Sequence, residues 1–303
     1  MTNTDDDSVS VIDPSTNAVI DTITAAEGIG DGPIGVAVDL PRARAYVANN
    51  GDGIVNGTVS VIDTSTHQVV GPPIIVGLSP FGVAVDSTRA RAYVTNAGDA
   101  TVSVINTVTN AVIDTISLGT SALGVAVDPT RARAYVTNEG HDSVSVIDTN
   151  TNAVIDTITE AEGIGDGPFA VAVDTRRARA YVTNANDDNV SVINTSTNQV
   201  VGSPITVGDT PQGVAVDPQR PRAYVTNLFD DTVSVINTAN SQVVATIGGL
   251  GDAPAGVAVD PRRRRAYVAN LFSDNVSVIN TATNQVIEPP VIVGDRPTGV
   301  VVF

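Results

Sequence analysis

Read for the alternation of apolar and polar positions, the chain falls into short β-branched runs separated by polar turns. One run, V-S-V-I-[DN], occurs seven times: Val9–Asp13, Val59–Asp63, Val102–Asn106, Val144–Asp148, Val190–Asn194, Val233–Asn237 and Val276–Asn280. Successive copies start 50, 43, 42, 46, 43 and 43 residues apart, and a period in the forties marks a repeat architecture. Three other runs keep company with it. G-V-A-V-D comes first, as at Gly82–Asp86 and Gly124–Asp128, and R-A-Y-V-[TA]-N second, as at Arg91–Asn96 and Arg133–Asn138. A looser run follows the V-S-V-I copy, as at Ala111–Ile116. Each run has the length and the Val, Ile and Tyr content of a strand.

The connections carry turn chemistry. In Asp128-Pro129-Thr130-Arg131 the proline sets φ and the aspartate can bond the backbone two residues on. Asp148–Asn152 is a second polar turn, between the third and fourth runs. Four antiparallel strands in each period predict an all-β fold, a seven-bladed β-propeller of four-stranded antiparallel blades. With strands A to D named from the axis outward, A strands start at Gly35, Gly82, Gly124, Ala170, Gly213 and Gly256 in six whole blades. The seventh blade is shared between the termini, with Gly299–Phe303 as strand A and Ser8–Asp13 as strand C. Its strand B is expected to be missing, Met1-Thr2-Asn3 reading as the cut end of one. Residues 1–303 are thus expected to form one propeller domain of a longer protein, its last blade incomplete or patched by a neighbouring molecule.

Tyr93–Asn96, Tyr135–Asn138, Tyr181–Asn184 and Tyr224–Asn227 spell Y-V-T-N, while Tyr46–Asn49 and Tyr267–Asn270 spell Y-V-A-N. In these motifs the chain resembles the YVTN-type β-propellers of archaeal surface-layer proteins and exported bacterial proteins. The resemblance covers essentially the whole chain. It implies a propeller fold and a cell-surface, secreted or periplasmic location, and it says little about activity.

Composition narrows the function classes. Aromatics are only 4 % of the chain and cysteine is absent, so disulfides and thiolate metal sites are impossible. No run of apolar residues is long enough to cross a membrane as a helix, and no segment has the form of a signal peptide. Acidic residues outnumber basic ones 33 to 16, for a formal charge of −17, and every basic residue is arginine. Such a balance disfavours sequence-blind binding to nucleic acid or to an anionic membrane surface.

Strand direction sorts the loops onto two faces. Fifteen of the sixteen arginines fall in or beside the A-to-B turns; only Arg296 lies elsewhere. Arg176, Arg177 and the run Arg262, Arg263, Arg264 and Arg265 are the candidates for an anion site, for single-stranded nucleic acid or another polyanion. The competing reading pairs each arginine with the aspartate that closes its own strand A, such as Arg131 with Asp128. The opposite face is acidic and holds four of the five phenylalanines: Phe81 and Phe169 before A strands, Phe229 and Phe272 in B-to-C loops with Leu228 and Leu271 beside them. These either form an exposed interaction patch or tuck beneath their own loops. The same face carries twin loops, Ala26–Pro33 and Ala161–Pro168, both containing Glu-Gly-Ile-Gly-Asp-Gly and placing Asp31 and Asp166 in matching positions. They lie three blades apart, as a duplication would leave them.

Catalytic and metal-binding patterns are thin. The two histidines, His67 and His141, lie on opposite faces, so a histidine-rich metal centre is excluded. No cofactor is expected. Pairs such as Asp187-Asp188 and Asp230-Asp231 suit Ca²⁺ only weakly, because loop aspartates also cap turns. The favoured reading is a monomeric, non-catalytic binding or structural module, with a protein or an extracellular glycan as partner. Its site would lie on the acidic face: Phe81, Phe169, Phe229, Phe272, Leu228 and Leu271 for apolar contact, Asp31 and Asp166 for cationic or hydroxylated groups. Polyanion binding on the arginine face is the alternative, and an enzyme with a carboxylate site at the channel mouth is a third reading.

Overall fold

Strand pairing in a computed structural model, which describes residues 1–303, arranges the chain as seven antiparallel sheets around an axis. Blade 1 begins with strand A at Pro33–Asp39, followed by B at Arg44–Asn49 and C at Asn56–Asp63. Blades 2 to 6 repeat the order, with A strands at Pro80–Asp86, Ala122–Asp128, Pro168–Asp174, Pro211–Asp217 and Pro254–Asp260. In blades 1 and 4 strand D is broken into two short pieces, each paired with strand C. The helical content is four single 3₁₀ turns, and no helix is long and apolar enough to cross a membrane.

The R-A-Y-V-T-N run can be read residue by residue as the joint between blades. Successive side chains of a strand point to opposite faces, so Ala92 and Val94 pack back onto blade 1 while Tyr93 packs forward into blade 3. Five of the six tyrosines are wholly buried, and Tyr267 is 4 % exposed. Four of them bond the next blade's C-to-D turn: Tyr46 Oη shares its proton between the Thr107 carbonyl at 3.2 Å and Asn110 Oδ1 at 2.9 Å, whereas the Tyr224 and Tyr267 hydroxyls are buried without a partner. Burial pushes the Tyr46 hydroxyl up to about 12, which keeps its proton for those bonds. Thr95 Oγ1 likewise donates across the joint, to the Leu123 carbonyl at 2.6 Å. Asn96 works inside its own blade, its Nδ2 donating to Thr101 Oγ1 at 2.9 Å and Ser103 Oγ at 3.0 Å. The serine of V-S-V-I is therefore the acceptor for the asparagine of Y-V-T-N.

Closest to the axis the blades touch through backbone. A Cβ added to Gly35 would collide with the Phe81 carbonyl, and one added to Gly299 with the Ile34 carbonyl. Glycine at this place in strand A allows the next blade to approach, and Gly299 extends the contact from blade 7 back to blade 1.

The shared seventh blade is present, and its strand B is cut short rather than absent. Thr2–Asn3 pair with Val9 and Ser8, and strand C then pairs with Ala18–Ile23, giving a three-stranded sheet. The C-terminal segment joins from the axis side: Thr2 N donates to the Gly299 carbonyl at 3.0 Å, and Thr298 N to the Thr2 carbonyl at 3.1 Å. Thr2 Oγ1 also donates to the Ile34 carbonyl at 2.7 Å, the same bond that Thr95 makes between blades 2 and 3. Met1 stands where other blades have valine, in the cluster containing Tyr267. The joint between blades 7 and 1 is built from Val9, Ile23, Ile29, Ala45, Val47 and Ile62 and contains no tyrosine. A cavity of 110 Å³ lies there, lined by Val11, Ala45, Ile62, Thr64 and His67 among others. Thr64 and His67 occupy the turn positions that Thr107 and Asn110 hold in blade 2.

Candidate functional site

The acidic face is organised by aspartates that clamp loops. At the blade 4–5 junction, Asp188 Oδ1 accepts the Thr210 N–H at 2.9 Å and Asp230 Oδ2 accepts the Asp209 N–H at 2.9 Å. Asp231 Oδ1 holds Ala253 N at 2.8 Å and Asp187 Oδ2 holds Asp166 N at 3.0 Å. The paired acids thus divide their labour, one carboxylate gripping the loop on each side. No group of three or more His, Asp or Glu side chains converges in the geometry of a metal site.

The twin loops take the same local form. Each opens with a 3₁₀ turn, Ala25–Glu27 or Glu160–Glu162, capped reciprocally by Thr24 with Glu27 and by Thr159 with Glu162. Their aspartates differ in surroundings. Asp166 Oδ1 accepts from Asn186 Nδ2 at 2.9 Å. Asp31 stands near Asp7 and Asp52, and burial together with those two charges raises its carboxyl above the usual range. A recess of 460 Å³ opens beside it, lined by Thr4, Asp5, Asp7, Asp31, Ile34 and Phe81 among others.

The phenylalanines separate into two kinds. Phe81 and Phe169 are half-buried at the channel mouth, and their rings meet edge to face at 5.5 Å and 90° although they come from blades 2 and 4. Leu123 of the intervening blade is buried at the matching position. Phe229 and Phe272 project from the B-to-C loops at 67 % and 62 % exposure, while Leu228 is buried with Ala253 and Ala255 and Leu271 packs against them. Leucine therefore provides the small core beneath each loop and phenylalanine the exposed surface.

On the other face most guanidinium groups are already engaged. Arg42, Arg89, Arg131, Arg177 and Arg263 each pair with the buried aspartate ending their own strand A, at 2.8–3.0 Å. Asp86, Asp128, Asp174 and Asp260 also accept backbone N–H groups of the turn, as Asp128 does from Thr130 and Arg131, which supports the buried charge. Asp39 has only Arg42, and its Oδ1 is buried without a partner. Arg44 and Arg133 pair with Asp63 and Asp148 at the end of strand C. Arg91, Arg222 and Arg265 donate to Asn152, Asn284 and Asn17 in the next blade's turn. Of the four-arginine run, Arg263 and Arg265 are engaged, while Arg262 and Arg264 are exposed with no side-chain partner, as is Arg176. Arg179, unremarkable in sequence, bonds only the carbonyl of Ala178 at 3.0 Å. It borders a 930 Å³ cleft between blades 4 and 5. The signal for it lay in the repeat itself, because Ser241 interrupts a column of turn asparagines.

No family model and no curated protein sequence matches the chain. Among solved structures it is similar to a chain of Kuenenia stuttgartiensis hydrazine synthase, with a TM-score of 0.75, 20 % identity and 88 % of each chain covered. At that identity the likeness extends to the seven-bladed fold alone.

Proposed function

We propose that this chain is an exported, non-catalytic binding module of the YVTN type, and that it holds a basic segment of a protein partner at the mouth of the channel on its acidic face. The Y-V-T-N motifs support the surface or secreted setting. The observation that carries the site is the meeting of apolar and anionic chemistry at one place. The Phe81–Phe169 pair presents aromatic surface at the mouth, and Phe81 also lines the recess that holds Asp5, Asp7 and Asp31. Burial, with the Asp7 and Asp52 charges beside it, raises the Asp31 carboxyl, so a Lys or Arg side chain entering the recess offsets repulsion already present. Phe229 and Phe272 offer further apolar contact on the same face.

Calorimetric titration with a short peptide combining Arg or Lys with an aromatic residue tests the proposal. Asp31→Asn and Phe81→Ala should each weaken binding by about tenfold, on the order of 1.4 kcal/mol, and rising salt should weaken it further. Binding unchanged in both variants would refute the assignment. The polyanion reading has less support, since only Arg176, Arg179, Arg262 and Arg264 lack a side-chain partner.

A further inference from the structure

We infer that the cleft between blades 4 and 5 on the arginine face is a separate site for a small sugar acid, with Arg179 receiving its carboxylate. The six equivalent arginines of strand B follow a simple rule. Where strand C ends in aspartate, as at Asp63 and Asp148, the arginine pairs with it. Where strand C ends in asparagine, the arginine turns to the next blade and donates to the asparagine of its C-to-D turn, as Arg91 does to Asn152 at 2.8 Å. Arg179 is denied both partners, because its strand C ends in Asn194 and the next turn carries Ser241. The shorter serine leaves the half-buried guanidinium facing the 930 Å³ cleft.

The cleft has the chemistry of a site for one negative charge on a hydroxylated body. Arg177 beside it is neutralised by Asp174 at 2.8 Å, so Arg179 supplies a single uncompensated positive charge. The walls present Ser203, Asn240, Ser241 and Gln242, and only 4 of 14 lining residues are apolar. A planar guanidinium suits a carboxylate held by two bonds, and hydroxyl and amide groups suit the sugar ring. The volume falls in the range of small-molecule sites. Polyanions are disfavoured there by the overall charge of −17.

The test is titration of the isotope-labelled chain with sodium glucuronate, followed through the backbone amide signals of Ser241 and Gln242. A saturable shift there is expected, with the neutral methyl glucoside and inorganic phosphate each binding about tenfold more weakly. Ser241→Asn restores the asparagine present at Asn17, Asn110, Asn152, Asn198 and Asn284. It should occupy Arg179 and weaken glucuronate binding at least about tenfold. Stability should hold or rise, since residue 241 has φ 56° and asparagine tolerates that region better than serine. Arg179→Gln should weaken binding similarly. Absence of a saturable shift, shifts confined to another blade, phosphate or methyl glucoside binding as well as glucuronate, or full affinity in Ser241→Asn would each overturn the inference.

Discussion

The joint between blades 3 and 4 and the joint between blades 7 and 1 follow one plan, but in the second the strand B that would carry the tyrosine is cut short. In the first, Tyr135 fills the space between sheets and bonds both the Thr195 carbonyl at 3.3 Å and Asn198 Oδ1 at 3.2 Å. The second has no tyrosine, and its apolar walls relax only partly. Val11 stays half-buried where Val146 is wholly buried, and Ala45 is 8 % exposed where Ala180 is 0 %. The comparison teaches that strand pairing alone does not seal a blade joint; the tyrosine of Y-V-T-N does.

The largest effect is expected from making the closed joint resemble the open one. Tyr135→Ala should lower stability by about 3–5 kcal/mol, the range for deleting a buried aromatic, as read from urea unfolding. A loss below about 1 kcal/mol would mean that the tyrosines are not what holds the blades together. The reverse experiment places Arg-Ala-Tyr ahead of Met1, supplying the side chain that the 7–1 joint lacks. Burial of an aromatic side chain predicts a gain of about 2 kcal/mol and a higher melting temperature.

The same joint makes a prediction about pH. The Met1 ammonium is buried and donates to the Ser10 carbonyl at 3.1 Å, and burial lowers it to about 5 from an ordinary 8.0. Between those values the unfolded chain holds a proton that the folded chain does not, so stability should rise with pH across this window and level off above it. Acetylating the amino terminus should remove that slope in a series of melts. A slope unchanged by acetylation would assign the dependence to other groups. The smallest effect contrasts two hydroxyls: Tyr46→Phe should cost about 1 kcal/mol, because Tyr46 has both turn partners. Tyr181→Phe should cost less, because Tyr181 has only the Thr238 carbonyl at 3.4 Å.

The blade frame was legible because alternation and a fixed period leave few ways to place V-S-V-I or R-A-Y-V, and the Asp128–Arg131 pairing followed from their spacing in one turn. The seventh blade was legible too, although Thr2–Asn3 do more than a missing strand would. The site was only partly so. Frame told which face Phe229 shares with Phe81, but not that Leu228 would take the inward place and leave the ring outside. Nor could it foresee the Phe81–Phe169 contact, because the reach of a side chain past an intervening blade depends on how narrow the mouth is. Asp31 and Asp166 sit in identical loops, each with an aspartate, Asp7 or Asp142, gripping the next glycine. What sets them apart is that Asn186 donates to Asp166 where Gly51 has no side chain to donate to Asp31.

The latch between Thr2 and Gly299 has a mechanical consequence. It ties strand A of blade 7, carried by the C-terminal end, to strand B, carried by the N-terminal end, so a pull applied to both ends at once is borne first by a few main-chain bonds inside blade 7. Under load the ring would part between those two strands and open like a clasp, with the five tyrosine-sealed joints from blade 1 to blade 6 still shut.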